Sequence, residues 1–354
     1  MWLLAIPKAL GMTPVTAALL LNAVAVGVLL WVMQAADRTG HRIPTLLTIA
    51  YLLLLTPFLG LATTMLAAGS WSAGKAWSDN EGGRINGGWL ALSFVLIASG
   101  VCSKPQYALI LWTLCLLAIP LLLQRQARPS RRLILVLALG SVLGFMADSG
   151  FRAVGKSEAI RTNSAVTLYA GLLVSGTGPG CGYWSVEASQ AAVADMGMPL
   201  RQAVMTRLGE QPPAHWASVV GCKIPGIVRP SPFAVYWLSA APNVEKARES
   251  EALEQRFRSA HRFERLLYPA ISLLILALAA ATTVRLRRRG HPAALYLLPM
   301  LWIAAFWSVH LVFEIQPRYF LGMYLLLPLW CLLAMRHAAV TPMTDATPVK
   351  PAEG

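Results

Sequence analysis

Residues 12–34 read MTPVTAALLLNAVAVGVLLWVMQ, a run of 23 residues without a charged side chain. A helix of roughly 20 apolar residues spans the hydrocarbon core of a bilayer. The run therefore predicts a membrane-spanning helix. It ends at Asp37-Arg38, the first charged residues that follow it.

The rest of the chain has the same character. Its 354 residues are 56% hydrophobic and only 13% charged, with a mean hydropathy of +0.56, whereas soluble domains carry about a quarter charged residues. We therefore expect an all-α polytopic membrane protein with about nine transmembrane or half-crossing helices. Besides Met12–Gln34, the predicted spans are Ile43–Pro57, Leu59–Ala76, Trp89–Cys102, Pro105–Leu123, Leu133–Ala147, Tyr268–Val284, Ala293–Phe313 and Tyr319–Met335.

Two pairs of these runs meet at a proline-containing break, Thr56-Pro57-Phe58 and Ser103-Lys104-Pro105. Proline lacks the amide donor and clashes with the preceding turn, so each break predicts a tight reversal at one membrane face. The alternative is one long kinked helix for each pair.

Basic residues favour the reversals. Lys and Arg accumulate in cytoplasmic loops, and with nine crossings all three arginine clusters fall on one side. The net charge of +14 is then a topology signal, and no nucleic-acid partner is predicted. We expect the protein in the plasma membrane, with the N-terminus outside and the C-terminus cytoplasmic. The clusters are Arg38 and Arg42; Arg125, Arg128, Arg131 and Arg132; and Arg285, Arg287, Arg288 and Arg289.

The pattern divides the chain into four regions. An N-terminal transmembrane bundle covers residues 1–147, and residues 148–265 form one large extracytoplasmic loop that is long enough to fold as a cap. The C-terminal transmembrane helices cover 266–336, and residues 337–354 form a disordered cytoplasmic tail. Within the cap, Pro199 is expected to open a short helix through Leu208. A helix starting after Asn243 is expected to continue without a break into the span at Tyr268.

Two short motifs place cations at the predicted outer membrane face. Lys104 follows Ser103 between two apolar runs, and it can either bind a phosphate or snorkel to the interface. Residues 314–319 hold Glu314, Arg318 and Tyr319. The Arg fork and the Tyr hydroxyl suit a phosphate or carboxylate, and the alternative is an interfacial anchor with a local Glu–Arg pair.

Other candidates carry weaker signals. The glycine-rich stretch 176–184 lacks the Gly-Lys-Ser/Thr ending of a phosphate loop, so a flexible loop competes with a ligand loop. Asp79-Asn80-Glu81 reads as a polar turn rather than a metal site. The six histidines show no ligand spacing, and no metal site is predicted.

The order of these parts resembles the polytopic glycosyltransferases of the GT-C fold, in particular the protein-mannosyltransferase and aminoarabinose-transferase-like superfamily. Several short pieces carry the resemblance across most of the chain: Met12–Gln34 with Asp37-Arg38, residues 57–64, Ser103-Lys104-Pro105 with Pro120, Gly182-Tyr183-Trp184, Cys222-Lys223, and Glu314–Tyr319 with Pro328. The resemblance implies that Lys104, Arg318 and Tyr319 bind a lipid phosphate. It also implies that Tyr183, Lys223 and Glu314 lie in substrate-facing loops.

This sequence departs from the family pattern at its start. The family's first span and the large loop that bears its catalytic acid have no counterpart before Met1-Trp2-Leu3-Leu4, and Thr63-Thr64-Met65 stands where an acidic residue is common. We therefore expect an N-terminally truncated chain without a catalytic residue, which should not catalyse on its own.

The expected function is transfer of a sugar from a polyprenyl-phosphate carrier to an acceptor at the outer face, by a glycosyltransferase or a truncated one. The lipid-linked sugar donor and membrane lipids are the expected partners, and the acceptor is a glycan, a lipid or a protein. No cofactor or metal requirement follows from the residues. The alternative is a non-catalytic membrane protein, such as a lipid or polysaccharide transporter or an assembly subunit.

The five cysteines divide by environment. Cys102, Cys115 and Cys331 lie in predicted spans and serve as small apolar residues. Cys181 and Cys222 lie in the loop that faces an oxidising compartment, so a Cys181–Cys222 disulfide is a candidate.

The topology is testable by labelling of single cysteines in intact cells. A cysteine introduced beside Glu187 should react with an impermeant thiol reagent added outside, and one beside Arg288 should not. The reverse labelling pattern would overturn the predicted orientation.

Overall fold

The computed structural model describes residues 11–37, 42–55, 61–78, 85–123, 128–155, 166–173, 182, 185–228, 251–315 and 317–340. Within these ranges the chain is all-helical and contains no strand. Residues 166–172 are helical. The other helices are α1 (Pro14–Ala36), α2 (Arg42–Leu55), α3 (Leu61–Ser78), α4 (Gly87–Ser103), α5 (Gln106–Leu122), α6 (Arg128–Gly155), α7 (Val186–Ala194), α8 (Leu200–Gly209), α9 (Pro213–Val228), α10 (Glu251–Arg288), α11 (Ala293–Tyr296), α12 (Leu298–Val312) and α13 (Pro317–Val340).

Each predicted apolar run lies largely in helical structure, and the helices α6 and α10 extend beyond their predicted runs at both ends. The helix α10 continues from Glu251 through the apolar stretch to Arg288, which confirms the unbroken continuation into the span at Tyr268. The short helix α8 confirms the one predicted after Pro199. The run 293–313 is divided at Leu297 into α11 and α12. The predicted disordered tail lies outside the described residues, apart from positions 337–340 at the end of α13.

Helices α1 and α3 run in the same direction. The Thr64 hydroxyl donates to the carbonyl of Ala25 at 3.3 Å, and further along both helices the Trp31 and Trp71 rings lie 4.9 Å apart. Because α2 connects the end of α1 to the start of α3, it must run the opposite way. This direction agrees with a reversal at Pro57, which itself lies outside the described residues.

Glycines bring α3, α4 and α6 into close contact. A Cβ built on Gly140 of α6 would lie 2.8 Å from the Ile97 side chain of α4, and one on Gly144 would overlap the carbonyl oxygen of Ala98. On the other side of α4, a Cβ on Gly100 would lie 3.0 Å from a carbonyl oxygen of α3. A Gly-x-x-x-Gly spacing of this kind lets helix backbones approach closely where lipid supplies no hydrophobic drive.

The contacts along these helices also show whether the chain reverses at Lys104 or continues as one kinked helix. Helices α4 and α6 are parallel, because positions 97 and 98 of α4 meet positions 140 and 144 of α6 in the same order. Helix α5 is antiparallel to α6, since Trp112 stacks edge-on with Phe145 at 5.2 Å while the Cys115 thiol reaches the carbonyl of Ile134 at 3.9 Å. Helices α4 and α5 therefore run in opposite directions, and the kinked-helix alternative is wrong.

The bundle has two distinct ends. We call the end that carries Lys104, Glu314 and the described residues between 166 and 228 the cap end, because the backbone N–H of Glu314 donates to the carbonyl of Thr167 at 2.9 Å. The opposite end, called the basic end, holds the start of α6 and the ends of α10 and α13. Its described basic residues include Arg42, Lys75, Arg131, Arg132, Arg285, Arg287, Arg288, Arg289 and Arg336.

Two stretches in the described part of the chain are long and apolar enough to cross a membrane: Arg131–Phe151 in α6 and Arg258–Arg288 in α10. Five shorter apolar stretches lie in α1, α4, α5, α12 and α13. The large buried side chains of α12 and α13 form the centre, where Trp302 stacks on Trp330 at 5.3 Å.

Two helical glycines of α6 provide a direct test of the close packing. We expect Gly144→Ala to lower the free energy of unfolding by about 1–3 kcal/mol, since its methyl group has no room against α4. Gly150→Ala has nothing within 4 Å of the new methyl group and should be neutral or stabilising by up to about 1 kcal/mol. Thermal unfolding in detergent measures both, and an equal response of the two variants would contradict the packing.

Candidate functional site

Lys104 occupies the turn between α4 and α5. Its backbone N–H donates to the carbonyls of Gly100 and Val101, both at 3.1 Å, and its carbonyl accepts from the N–H of Tyr107 at 3.0 Å. These bonds close the end of α4 and open α5 across Pro105. The side chain is partly exposed, and its ammonium lies 5.2 Å from the centre of the Tyr107 ring. The cation is thus held at the cap end on an aromatic support and is reachable from outside.

Tyr107 joins the starts of three helices. It is fully buried, and its hydroxyl shares a hydrogen bond of 2.7 Å with the Thr63 hydroxyl near the start of α3. Its ring also lies against Gly322 of α13, where any side chain would overlap the tyrosine hydroxyl. Gly322 therefore allows α13 to approach the same ring that supports Lys104.

Arg318 and Tyr319 begin α13, and their side chains are not among those the structure describes. Arg318 precedes Gly322 by four positions, about one turn of an α-helix, so the two share a helix face. Because Gly322 contacts Tyr107, the backbone that carries Arg318 enters the bundle beside the turn of Lys104. The convergence of the Lys104 and Arg318 side chains on one cavity stays a prediction.

The end of α12 lies next to this junction. His310 and Glu314 are both buried, and His310 Nδ1 lies 3.1 Å from the backbone carbonyl oxygen of Glu314. The imidazole ring also packs on Phe320 of α13 at 4.8 Å. Glu314, expected in a substrate-facing loop, is 1% exposed, and its role toward a substrate stays a prediction.

Lys223 of α9 holds the cap onto this end of α12. Its side chain is 0% exposed, and Nζ donates to the carbonyls of Gly171 at 2.9 Å, Leu311 at 2.8 Å and Phe313 at 2.9 Å. An ammonium group has three N–H donors, and each of them has an acceptor here. The sequence assigned Lys223 to a substrate-facing loop; its enclosure by protein gives it a structural role instead.

Two opposing effects act on the charge of Lys223. Burial lowers the pKa of Lys223 from 10.5 to about 7, because a charged group loses hydration inside protein. The three carbonyls favour the ammonium form, since the neutral amine has only two N–H donors. We infer that these hydrogen bonds keep the group charged at neutral pH.

Gly182 completes the junction between cap and bundle. It has a positive φ of 73°, its carbonyl accepts from the N–H of Ile315 at 2.6 Å, and a Cβ on it would lie 3.0 Å from the Lys223 side chain. Only glycine fits this backbone conformation and this space without strain. Tyr183, predicted as a substrate-loop residue, lies outside the described residues.

The contact between Gly182 and Lys223 also bears on the predicted disulfide, since each residue directly follows one of its cysteines. Cys222 is disulfide-bonded, and the three cysteines expected to serve as small apolar residues, Cys102, Cys115 and Cys331, form no disulfide bond. Cys181 lies outside the described residues, so its pairing with Cys222 stays a prediction.

The electrostatic character of the site is cationic. Ring contacts connect the turn of Lys104 to the end of α12: the Phe306 ring lies 6.3 Å from the Tyr107 ring and 6.1 Å from the His310 ring, and Lys223 donates to carbonyls at the same helix end. Of the two lysines, only Lys104 is partly exposed, while Lys223 is committed to backbone carbonyls. The arrangement can therefore attract an anion to the turn of Lys104, with the Lys223 junction positioning the backbone ahead of Arg318.

A second polar network lies within the cap, and sequence reasoning missed it. The guanidinium of Arg207 donates two bonds of 2.9 Å to the carboxylate of Asp195, and the Tyr169 hydroxyl donates to the same carboxylate at 2.6 Å. Arg207 holds the pKa of the Asp195 carboxyl below its ordinary value. Asp195 is 7% exposed, so the network stabilises the cap by tying the segment 166–172 to α7 and α8. Asp195 is 26 positions from Tyr169 and 12 positions from Arg207. No local sequence pattern indicates contacts over such separations.

The comparisons with known proteins add no relative: no family model, no curated protein and no solved structure matches the chain.

Substitution of Lys223 tests the junction. Lys223→Met keeps the length of the side chain but takes the donor from one buried and two partly buried carbonyls, so we expect the free energy of unfolding to fall by about 3 kcal/mol. Lys223→Arg should be destabilising as well, because a planar guanidinium does not match three converging carbonyls in an enclosed space. Denaturant unfolding followed by tryptophan fluorescence measures both changes.

Lys75→Met is the matched control, because Lys75 is partly exposed and lies 5.9 Å from the Trp71 ring. Loss of this contact should cost no more than about 1 kcal/mol. A Lys223→Met protein as stable as Lys75→Met would show that the three hydrogen bonds contribute little.

Proposed function

We propose that the chain is a multi-span membrane protein of the plasma membrane in which nine helices cross or half-cross the bilayer. Beyond the two long apolar stretches, the support is the distribution of exposed apolar side chains. Such side chains face outward from six helices, where a soluble protein would place polar residues. They include Leu20, Val24 and Trp31 of α1, Ile43 and Leu46 of α2, Leu92 and Val95 of α4, Leu116 and Ile119 of α5, Leu135, Leu139, Leu143 and Met146 of α6, and Leu273 and Leu274 of α10.

The proposed topology places the cap end outside the cell and the basic end in the cytoplasm. The arginines of the basic end support this orientation through the preference of Lys and Arg for cytoplasmic loops. The N-terminus is then outside and the C-terminus cytoplasmic.

Within this frame we propose that the turn of Lys104 and the start of α13 bind the phosphate of a lipid-linked sugar. The observation that carries the proposal is the shared contact on Tyr107, which supports Lys104 and also meets Gly322, one turn from Arg318. A single cation at a membrane face is costly without an anion or water. Two cations on converging helix starts suit one phosphate, with the Tyr319 hydroxyl as a further donor.

The reaction that fits such a site is sugar transfer from a polyprenyl phosphate, as the resemblance to GT-C glycosyltransferases implies. The bond between the anomeric carbon and the phosphate oxygen breaks, and the phosphate leaves with the electron pair. An acceptor oxygen of a glycan, lipid or protein forms the new bond and loses its proton to a base. Cationic groups on the leaving phosphate stabilise the charge that develops there.

Binding of a polyprenyl monophosphate to the purified full chain tests the site. We expect Lys104→Met and Arg318→Gln each to weaken binding by about 10-fold or more, since a hydrogen bond to a charged group contributes about 1.5–3 kcal/mol. Ligand-induced thermal stabilisation measures the affinity. Lys75→Met, the same substitution at a lysine outside the site, should bind the lipid as the unchanged protein does.

Two outcomes are informative against the proposal. Equal binding by Lys104→Met and Lys75→Met would remove the phosphate site. Equal thermal stabilisation by polyprenyl monophosphate and by the polyprenyl alcohol would show that the phosphate is not recognised, and would leave a non-catalytic membrane protein, such as a transporter or an assembly subunit, as the reading of the chain.

A further inference from the structure

Helix α10 is longer than a bilayer requires, and arginines mark both ends of its apolar part. Arg265 and Arg285 are 285 − 265 = 20 positions apart, about 30 Å along an α-helix, the thickness of a hydrocarbon core. The helix nevertheless begins at Glu251, so roughly three to four further turns extend past Arg265 at the cap end.

This extension presents a stripe of arginines. Arg258, Arg262 and Arg265 are all exposed, and spacings of four and three residues put them on one face of the helix. The three arginines therefore form one exposed basic stripe on the turns that precede the apolar part.

Apolar residues accompany the arginines. Phe263 is 61% exposed and Leu266 is 75% exposed, although both lie beside the stripe on the same few turns. A soluble anion would satisfy the arginines alone. A lipid surface satisfies both kinds of side chain, because headgroup phosphates pair with guanidinium groups while Phe and Leu enter the apolar layer beneath.

The position of the stripe is unusual for a topology signal. Lys and Arg that orient a membrane protein gather on the cytoplasmic side, and in this chain the basic end supplies them. The positive-inside preference does not explain arginines at the cap end, so their positive charge needs another explanation, such as binding of an anion. Guanidinium groups suit phosphate through their planar fork.

We propose that Arg258, Arg262 and Arg265 form a binding stripe for the phosphate headgroups of anionic lipids in the leaflet at the cap end. The inference rests on the proposed membrane crossing of α10 and is independent of the phosphate site at Lys104. The stripe holds α10 at a defined depth, with Arg265 at the level of the headgroups. It also gathers anionic lipid on the α10 side of the cap.

The experiment uses the purified full chain in a non-ionic detergent. Short-chain phosphatidylglycerol is titrated in, with short-chain phosphatidylcholine as the zwitterionic comparison, and bound lipid is counted by native mass spectrometry. Arg262→Gln/Arg265→Gln should bind phosphatidylglycerol at least about 10-fold more weakly, since each basic residue near an anionic surface contributes roughly a fivefold preference. Binding of phosphatidylcholine should not change.

The control removes two arginines elsewhere in the cap region. Arg201 and Arg256 are also exposed but lie off the stripe, so Arg201→Gln/Arg256→Gln has the same net charge and should keep the affinity for phosphatidylglycerol. Arg262→Lys/Arg265→Lys retains the charge and should keep most of the binding, which separates loss of the stripe from loss of the fold.

The outcomes distinguish the possible failures. Equal losses in the two glutamine variants would show a general effect of charge and overturn the stripe. Competition by inorganic phosphate at the same phosphate concentration would show that a soluble anion, and not a lipid surface, is the ligand. Arg262→Gln/Arg265→Gln, measured in parallel, should bind polyprenyl monophosphate as the unchanged protein does, so a failure of the stripe leaves the polyprenyl-phosphate site to its own test.

Discussion

The three hydrogen bonds of Lys223 connect the two parts of the molecule. A helix end leaves carbonyl oxygens without intrahelical donors, and Leu311 and Phe313 at the end of α12 are partly buried. One side chain from the cap supplies donors to Leu311 and Phe313, and its third N–H reaches Gly171 within the cap itself. The short connection that leads into α13 therefore has a defined path, and the residues at the start of α13 inherit their position from it.

Small residues determine how closely the helices approach around that junction. Gly140 and Gly144 let α6 lie against α4, and Gly100 lets α4 lie against α3. The same principle operates at Gly322, where the missing side chain makes room for Tyr107. These contacts carry the turn of Lys104 and the start of α13 to a common place, although 214 positions separate Lys104 from Arg318 (318 − 104).

The charged groups of the molecule fall into two kinds. Lys223, Asp195 and Arg207 are committed to partners inside the cap or between cap and bundle, and they stabilise the fold. Lys104 is partly exposed and Arg258, Arg262 and Arg265 are exposed, and these are the groups proposed to meet a lipid phosphate. Lysine and arginine occur in both groups, so residue type alone does not separate them. Burial and the hydrogen-bond acceptors nearby do.

Much of the architecture follows from local sequence. The lengths of the apolar runs and the prolines between them predicted the helices, and the arrangement of basic residues predicted a reversal at Lys104 over a kinked helix. These signals are readable because a helix and its breaks depend on residues a few positions apart. Lys223 was different: the sequence placed it in a loop facing a substrate, because nothing near it indicates that carbonyls 52, 88 and 90 positions away would enclose it. The sequence by itself determined the helical class, the candidate spans and the residues able to meet a phosphate. Only the tertiary structure decided which lysine is buried and which is exposed, because that depends on how distant helices pack.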